Sequence, residues 1–231
     1  MRILFATAVD AEAEAVRRGD PRLDVAAVGV GPAAAAAGAA RLLSVAEARG
    51  RAYHGIVSVG IAGGFPDRIE PGGVVIADRS VYADLGAQAP DGFLSIDELG
   101  YGRAVHAADE TLTGVLRAAL PGALVGAVLT VSTVTGTAQR ASELRERWPD
   151  AIAETMEGAG VAAAARLCAV PYAELRTISN PIGPRDRASW QLGAALAALT
   201  TAATALGAHL AALDSQRAAL GDSADRAAGI G

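Results

Sequence analysis

Short apolar runs without helical period alternate along this chain with stretches rich in alanine, glutamate and arginine. "RILFATAV" (2–9) is apolar almost throughout, as a strand covered on both faces must be. "DAEAEAVRR" follows it with helix formers and an acidic first turn. The pairing recurs in "LDVAAVGVGP" (23–32), a strand closing on Gly31-Pro32, and in 33–50, a helix ending at Gly50. "GIVSVGIAGGF" (55–65) reads as a strand running into a glycine turn, and "GGVVIADRSVYAD" (72–84) as a long, bent strand. Residues 85–104 are expected to be irregular. Further on, 123–133 reads as a strand and "ASELRERWP" as a helix stopped by Pro149. Residues 151–169 pass from a short strand into a helix, and "VPYAELRTIS" (170–179) is the last core strand. This alternation predicts an α/β fold: one domain of three layers, α/β/α, around a mixed, largely parallel central sheet. The domain is expected to span 1–213, with a small, polar tail at 214–231 that frays.

Composition narrows the class. A length of 231 residues suffices for one large domain with a substantial core. A formal net charge of −5 leaves no electrostatic footprint for nucleic acid, and no basic run suggests a membrane surface. The single cysteine, Cys168, rules out an internal disulfide, fits a reducing cytosol and reads as a small core residue. The start, "MRILFATAVDAEAEAV", lacks the pattern of a signal peptide. Residues 192–213 hold no Lys, Arg, Asp or Glu, so length alone would let them cross a bilayer. They are mostly Ala, Thr and Gly, and read instead as a buried C-terminal helix.

Four places can carry chemistry. Glu12, just after the first strand, can act as a general base on water; equally, Asp10, Glu12 and Glu14 can simply complement a helix N-terminus. "GIAGG" (Gly60, Ile61, Ala62, Gly63, Gly64) allows close backbone approach to a ligand, or is a plain tight turn. In "ETMEGAGVAAA" (154–164), Glu157 starts a helix of small apolar residues; buried there, a carboxylate needs partners, and a vicinal diol beside Met156 would satisfy it. Asn180, with Arg185, Asp186 and Arg187, lies just past the last strand, where α/β sheets place their sites, although a solvated loop with local ion pairs has the same residues. His54, His106 and His209 are scattered, and neither a Cys/His cluster nor H-E-x-x-H occurs, so no metal is expected. No G-x-S-x-G elbow points to a serine hydrolase.

Taken in order, "MRILFATAVDAEAEAV", "GIAGG", "ETMEGAGVA" and "RTISN" resemble the nucleoside phosphorylase/nucleosidase superfamily over about residues 1–210. The closest branch is that of methylthioadenosine/S-adenosylhomocysteine nucleosidases and the related futalosine hydrolases; residues 83–100 and 179–187 resemble the futalosine-hydrolysing group. The resemblance implies that Glu12 activates water, and that Met156 and Glu157 hold the ribose. Gly60, Ile61 and Gly63 would lie close to sugar and water, and Asn180 would meet the purine near N7. The adenine-specific branch has Asp at that last position. An Asn amide can donate to O6 or N7 of a 6-oxopurine, where an ionised Asp would face O6 acceptor against acceptor. A mismatch of that kind costs about 1–3 kcal/mol, so hypoxanthine is the expected leaving base. Arg185 or Arg187 is then open to pair with a carboxylate on the 5′ side of the substrate, or with Asp186 to shape the loop; Asp186 is also open as the acid replacing the missing Asp. Phosphorylases of the superfamily bring Arg to phosphate, and the position two residues before Gly60 is Ser58, so water is the expected nucleophile.

The resemblance therefore implies a purine nucleosidase acting on futalosine in menaquinone biosynthesis, with no metal or organic cofactor, and a homo-oligomer, most simply a dimer. It is expected to be cytoplasmic, with no nucleic-acid or membrane partner. Two rivals stay open at this stage. One is a methylthioadenosine/S-adenosylhomocysteine (or aminodeoxyfutalosine) nucleosidase; the other is a non-catalytic purine-nucleoside binding protein on the same fold.

Overall fold

A computed structural model describes residues 1–90 and 92–228. Ten strands and six helices follow one another from β1 (Ile3–Thr7) and α1 (Asp10–Gly19) through β2 (Asp24–Ala27) and α2 (Pro32–Ala48) to β3 (Gly55–Gly64) and β4 (Val74–Tyr82). Then come β5 (Gly86–Ala89), β6 (Gly92–Ser95), β7 (Val105–Ala107), α3 (Glu110–Ala119), β8 (Leu124–Thr130) and α4 (Ala138–Arg147). The chain ends with β9 (Ala151–Thr155), α5 (Gly158–Leu167), β10 (Tyr172–Pro181) and α6 (Leu192–Ala228).

The apolar runs are unbroken because the sheet is covered on both sides. Ile3 and Phe5 of β1 pack with α1, α3 and α6, while Leu4 and Ala6 between them pack with α2 and α5. The sheet runs β10-β4-β8-β9-β3-β1-β2, with β7 on the side of β4. Parallel pairs join β1 to β2 and β3, β3 to β10, β4 to β8, and β8 to β9; β10–β4, β3–β9 and β4–β7 are antiparallel. This is the expected three-layer arrangement with a mixed, largely parallel sheet. One feature was not expected: β3 pairs with both β9 and β10, so β3, β10, β4, β8 and β9 close into a ring.

Several local expectations are corrected. The glycine stretch Gly60–Gly64 is not a turn; it is the second half of β3, and the chain turns only after Phe65. β10 runs two residues beyond Ser179, so Asn180 belongs to the strand, at a bulge where its register on β3 shifts between Ile178 and Asn180. Residues 85–104 are not wholly irregular, since β5 and β6 pair as a separate hairpin. β7 and α3 fill 105–119, which the period left unassigned; Asp109 caps α3 by accepting from Leu112 N at 2.9 Å.

α6 is only partly buried. Its segment Leu192–Gln216 is long and apolar enough to cross a membrane by length and composition, yet just 28% of that window is buried. The stripe Ala195, Leu199, Ala202, Ala203 and Leu206 packs on the domain, at the spacing of one helical face. α6 continues through 214–228; of the tail expected over 214–231, residues 229–231 lie outside the described residues.

Candidate active site

The C-terminal halves of β3 and β10, the start of α1 and the β9–α5 junction meet at one place. Of the three acids opening α1, Asp10 and Glu14 point to solvent, and Glu12 is 3% exposed. Three backbone N–H groups hold its carboxylate: Ile61 donates to Oε1 at 2.8 Å, and Ala8 and Val9 donate to Oε2 at 2.9 and 3.3 Å. Burial nevertheless pushes the Glu12 carboxyl above the ordinary glutamate range, only partly offset by those N–H groups and by Arg176.

Arg176 is the residue the sequence reading missed. It lies in the middle of β10 and is 1% exposed. Its Nε donates to Glu174 at 2.8 Å, its Nη2 donates to Ser58 Oγ at 2.7 Å, and its Nη1 lies 3.8 Å from Glu157. Burial opposes the guanidinium charge, but Glu174, Glu157 and Glu12 outweigh it and raise the arginine further. Glu174 is in turn fully buried and accepts from Tyr172 Oη at 2.9 Å and from Ser80. The available signal was an arginine inside an apolar strand with a glutamate two residues earlier, hence on the same face.

Two glycines make room for this group. A Cβ on Gly60 would sit 2.5 Å from Glu12 Oε1 and 2.9 Å from Arg176 Nη1. A Cβ on Gly158 would collide with the Glu174 carboxylate. Gly60 thus lets the Glu12 carboxylate and the Arg176 guanidinium approach each other. Glu157, at the N-terminus of α5, accepts from Gly31 N at 3.1 Å and from Met156 N at 3.3 Å; Met156 is half-buried beside it.

The other end of the site is a narrow cleft lined by Gly63, Glu154, Asn180, Arg185 and Trp190, among others. Asn180 is half-buried; its Nδ2 donates to Pro181 O at 3.0 Å, and its Oδ1 accepts from Ser179 Oγ at 2.7 Å. One amide N–H is left for a ligand. Asp186 is not brought to the cleft. It is exposed and caps a short 3-10 turn, Arg187–Ser189, by accepting from Ala188 N at 3.0 Å. The guanidinium groups of Arg185 and Arg187 lie 5.7 and 5.8 Å from the Trp190 ring centre, and only Arg185 lines the cleft.

The arrangement can deprotonate a water, hold two vicinal hydroxyls and donate to a leaving group. It offers little to a phosphate, because Arg176 is already shared among carboxylates and Ser58 Oγ is occupied by Arg176.

The chain is similar to known proteins over most of its length. Residues 16–213 match the Phosphorylase superfamily. The futalosine hydrolase of Streptomyces coelicolor is 49% identical, over 87% of this chain and 93% of that protein. The futalosine hydrolase of Acidothermus cellulolyticus is 46% identical over 66% of this chain and 64% of its own length. Among solved structures, S-adenosylhomocysteine nucleosidase of Streptococcus pyogenes, bound to 5-methylthiotubericidin, superposes with a TM-score of 0.76 at 20% identity, covering 91% of this chain and 96% of that one. The methylthioadenosine/S-adenosylhomocysteine nucleosidase of Neisseria meningitidis gives 0.73 at 20% identity, covering 89% and 97%. At that identity the structures speak for the fold alone, whereas the sequence match is long and strong: the chain belongs to the phosphorylase superfamily and, within it, to the family of the Streptomyces coelicolor futalosine hydrolase.

Proposed function

We propose that this chain is a nucleosidase that hydrolyses the N-glycosidic bond of futalosine, releasing hypoxanthine and dehypoxanthinylfutalosine, as a step of menaquinone biosynthesis. The observation that carries the reading is the buried group in which Glu12 and Glu157 share Arg176 across Gly60. It supplies a base for water and an acceptor for a diol, on a chain 49% identical to a futalosine hydrolase.

In this reading the Glu12 carboxylate takes a proton as the water oxygen bonds to C1′. The C1′–N9 bond breaks, and its electron pair goes to the purine. Glu157 accepts from the 2′- and 3′-hydroxyls, Met156 packs on the sugar, and Gly60, Ile61 and Gly63 form the floor beneath it. Arg176 is a positioning residue that aims both carboxylates. The free amide N–H of Asn180 donates to the departing hypoxanthine. Arg185 is the cation for a carboxylate on the 5′ side, because it lines the cleft; Arg187 and Asp186 shape the loop. The enzyme needs no cofactor in this reading and works as a cytoplasmic homo-oligomer, most simply a dimer, without nucleic-acid or membrane partners.

The test is a product assay in phosphate-free buffer with futalosine, inosine, adenosine and methylthioadenosine. Hypoxanthine from futalosine is expected, and Glu12→Gln should slow its release on the order of 10³-fold, within the usual range for a general base. Adenine from methylthioadenosine would overturn the substrate, and turnover unchanged by Glu12→Gln would overturn the mechanism.

A further inference from the structure

The cleft holds a second buried acid that the mechanism above does not use. Glu154, on β9, is 6% exposed. It accepts from Thr135 N at 2.8 Å and from Thr135 Oγ1. Among the described residues no cation lies within ion-pair distance of it; Arg140 acts only as a more distant attraction, and Asp84 as a repulsion. Burial of such a group is costly unless something else uses it. A carboxylate has about four acceptor positions, and Thr135 fills two.

Its place in the sheet suggests that use. Gly63 of β3 is paired with Glu154 on one side and with Asn180 on the other. Residues directly opposite one another point to the same side of a sheet, so acid, glycine and amide form one row. Asn180 Nδ2 lies 3.5 Å from the point where a Gly63 Cβ would be, in agreement with that direction. Ile182 Cγ1 lies 2.9 Å from that same point, so Gly63 and Ile182 together floor the slot between carboxylate and amide, whose strands stand about 9.6 Å apart. Val134, Pro184 and Trp190 line the same slot and offer apolar surface to a flat ring.

A 6-oxopurine carries a hydrogen on N1, whereas adenine presents a bare lone pair there. A carboxylate attracts the first and repels the second. At the other end of the row the amide donates to O6 or N7. From this juxtaposition we infer that Glu154 is a specificity-determining residue, which accepts the N1–H of a 6-oxopurine while Asn180 holds the opposite edge. The inference rests on the nucleosidase reading proposed above and gives it a second reason for choosing hypoxanthine, at the N1 edge of the base.

The experiment measures dissociation constants of hypoxanthine, 1-methylhypoxanthine and adenine by calorimetry, with the native chain, Glu154→Gln, Glu154→Ala and Thr135→Val. The native chain should bind hypoxanthine about tenfold or more tightly than either other base, because a buried acceptor left without its donor is penalised. Glu154→Ala should bring hypoxanthine and 1-methylhypoxanthine within about threefold of each other, and Glu154→Gln should fall between. Thr135→Val keeps the carboxylate and should keep the native ratio. Equal native affinity for hypoxanthine and 1-methylhypoxanthine overturns the inference without any variant. So does a native ratio preserved in Glu154→Ala, which would mean that Glu154 only anchors the loop at Thr135. Release of adenine but never hypoxanthine by the native chain is a different failure, since it removes the parent reading as well.

Discussion

The two ends of the site are built on opposite principles. At the Glu12–Arg176 end every charged group is buried and already bonded within the protein. At the Asn180–Trp190 end the groups other than the buried Glu154 are half-buried or exposed, and the hydrogen-bonding capacity is incompletely used. In the proposed mechanism the first end carries chemistry common to any nucleoside and has to be fixed in advance. The second, in the same proposal, decides which base and which 5′ substituent enter, and its exposed groups can vary with little effect on the fold. The contrast teaches where substitution should be lethal and where it should only redirect the enzyme.

The harshest way to break that contrast is Arg176→Met. It removes the cation shared by three carboxylates, and a broken buried pair costs about 3–5 kcal/mol. Thermal unfolding should shift down by ~10 °C for a chain of this size. An unchanged midpoint would mean that the carboxylates are not charged in the folded state. Gly60→Ala should come next: the new methyl forces Glu12 or Arg176 aside, with a loss in kcat on the order of 10²-fold while most of the fold survives.

A third test uses pH. The Glu12 carboxyl is raised, so the folded chain holds a proton that the unfolded chain has already lost. That stability is present below the ordinary glutamate value and is lost as pH rises through the raised one. Activity runs the other way, because only the ionised form is a base. The acid limb of kcat/KM should therefore sit above the ordinary glutamate pKa, over the window in which stability declines. A limb at the ordinary value would separate Glu12 from the rate. The mildest change is Asp186→Ala. It deletes one exposed cap, which should cost under about 0.5 kcal/mol and leave turnover within about twofold. A large loss of turnover would restore Asp186 as an acid and erase the difference between the two ends.

Much of the fold was legible because both faces of the sheet are covered. Continuous apolar runs marked β1, β3, β8 and β10 without ambiguity of face. What escaped was set by pairing at long range. No local signal says that β3 is shared by β9 and β10, and a run of glycines looks like a turn until its neighbours are known. Glu12 and Glu157 were visible by position, before a helix and beside small residues. Arg176 and Glu154 were hidden by their context. One sat in a strand read only for its apolar residues, and the other stood three residues before Glu157, in a stretch read only for Met156 and Glu157.

Gly60 also constrains how such a protein can change. A side chain there is blocked as long as Glu12 and Arg176 both remain, and in the proposed mechanism neither is replaced alone without loss of chemistry or of fold. Any route to a different reaction through this position must cross a valley in fitness, or alter three sites together. The smallest residue in the site is thereby the one whose replacement depends most on history.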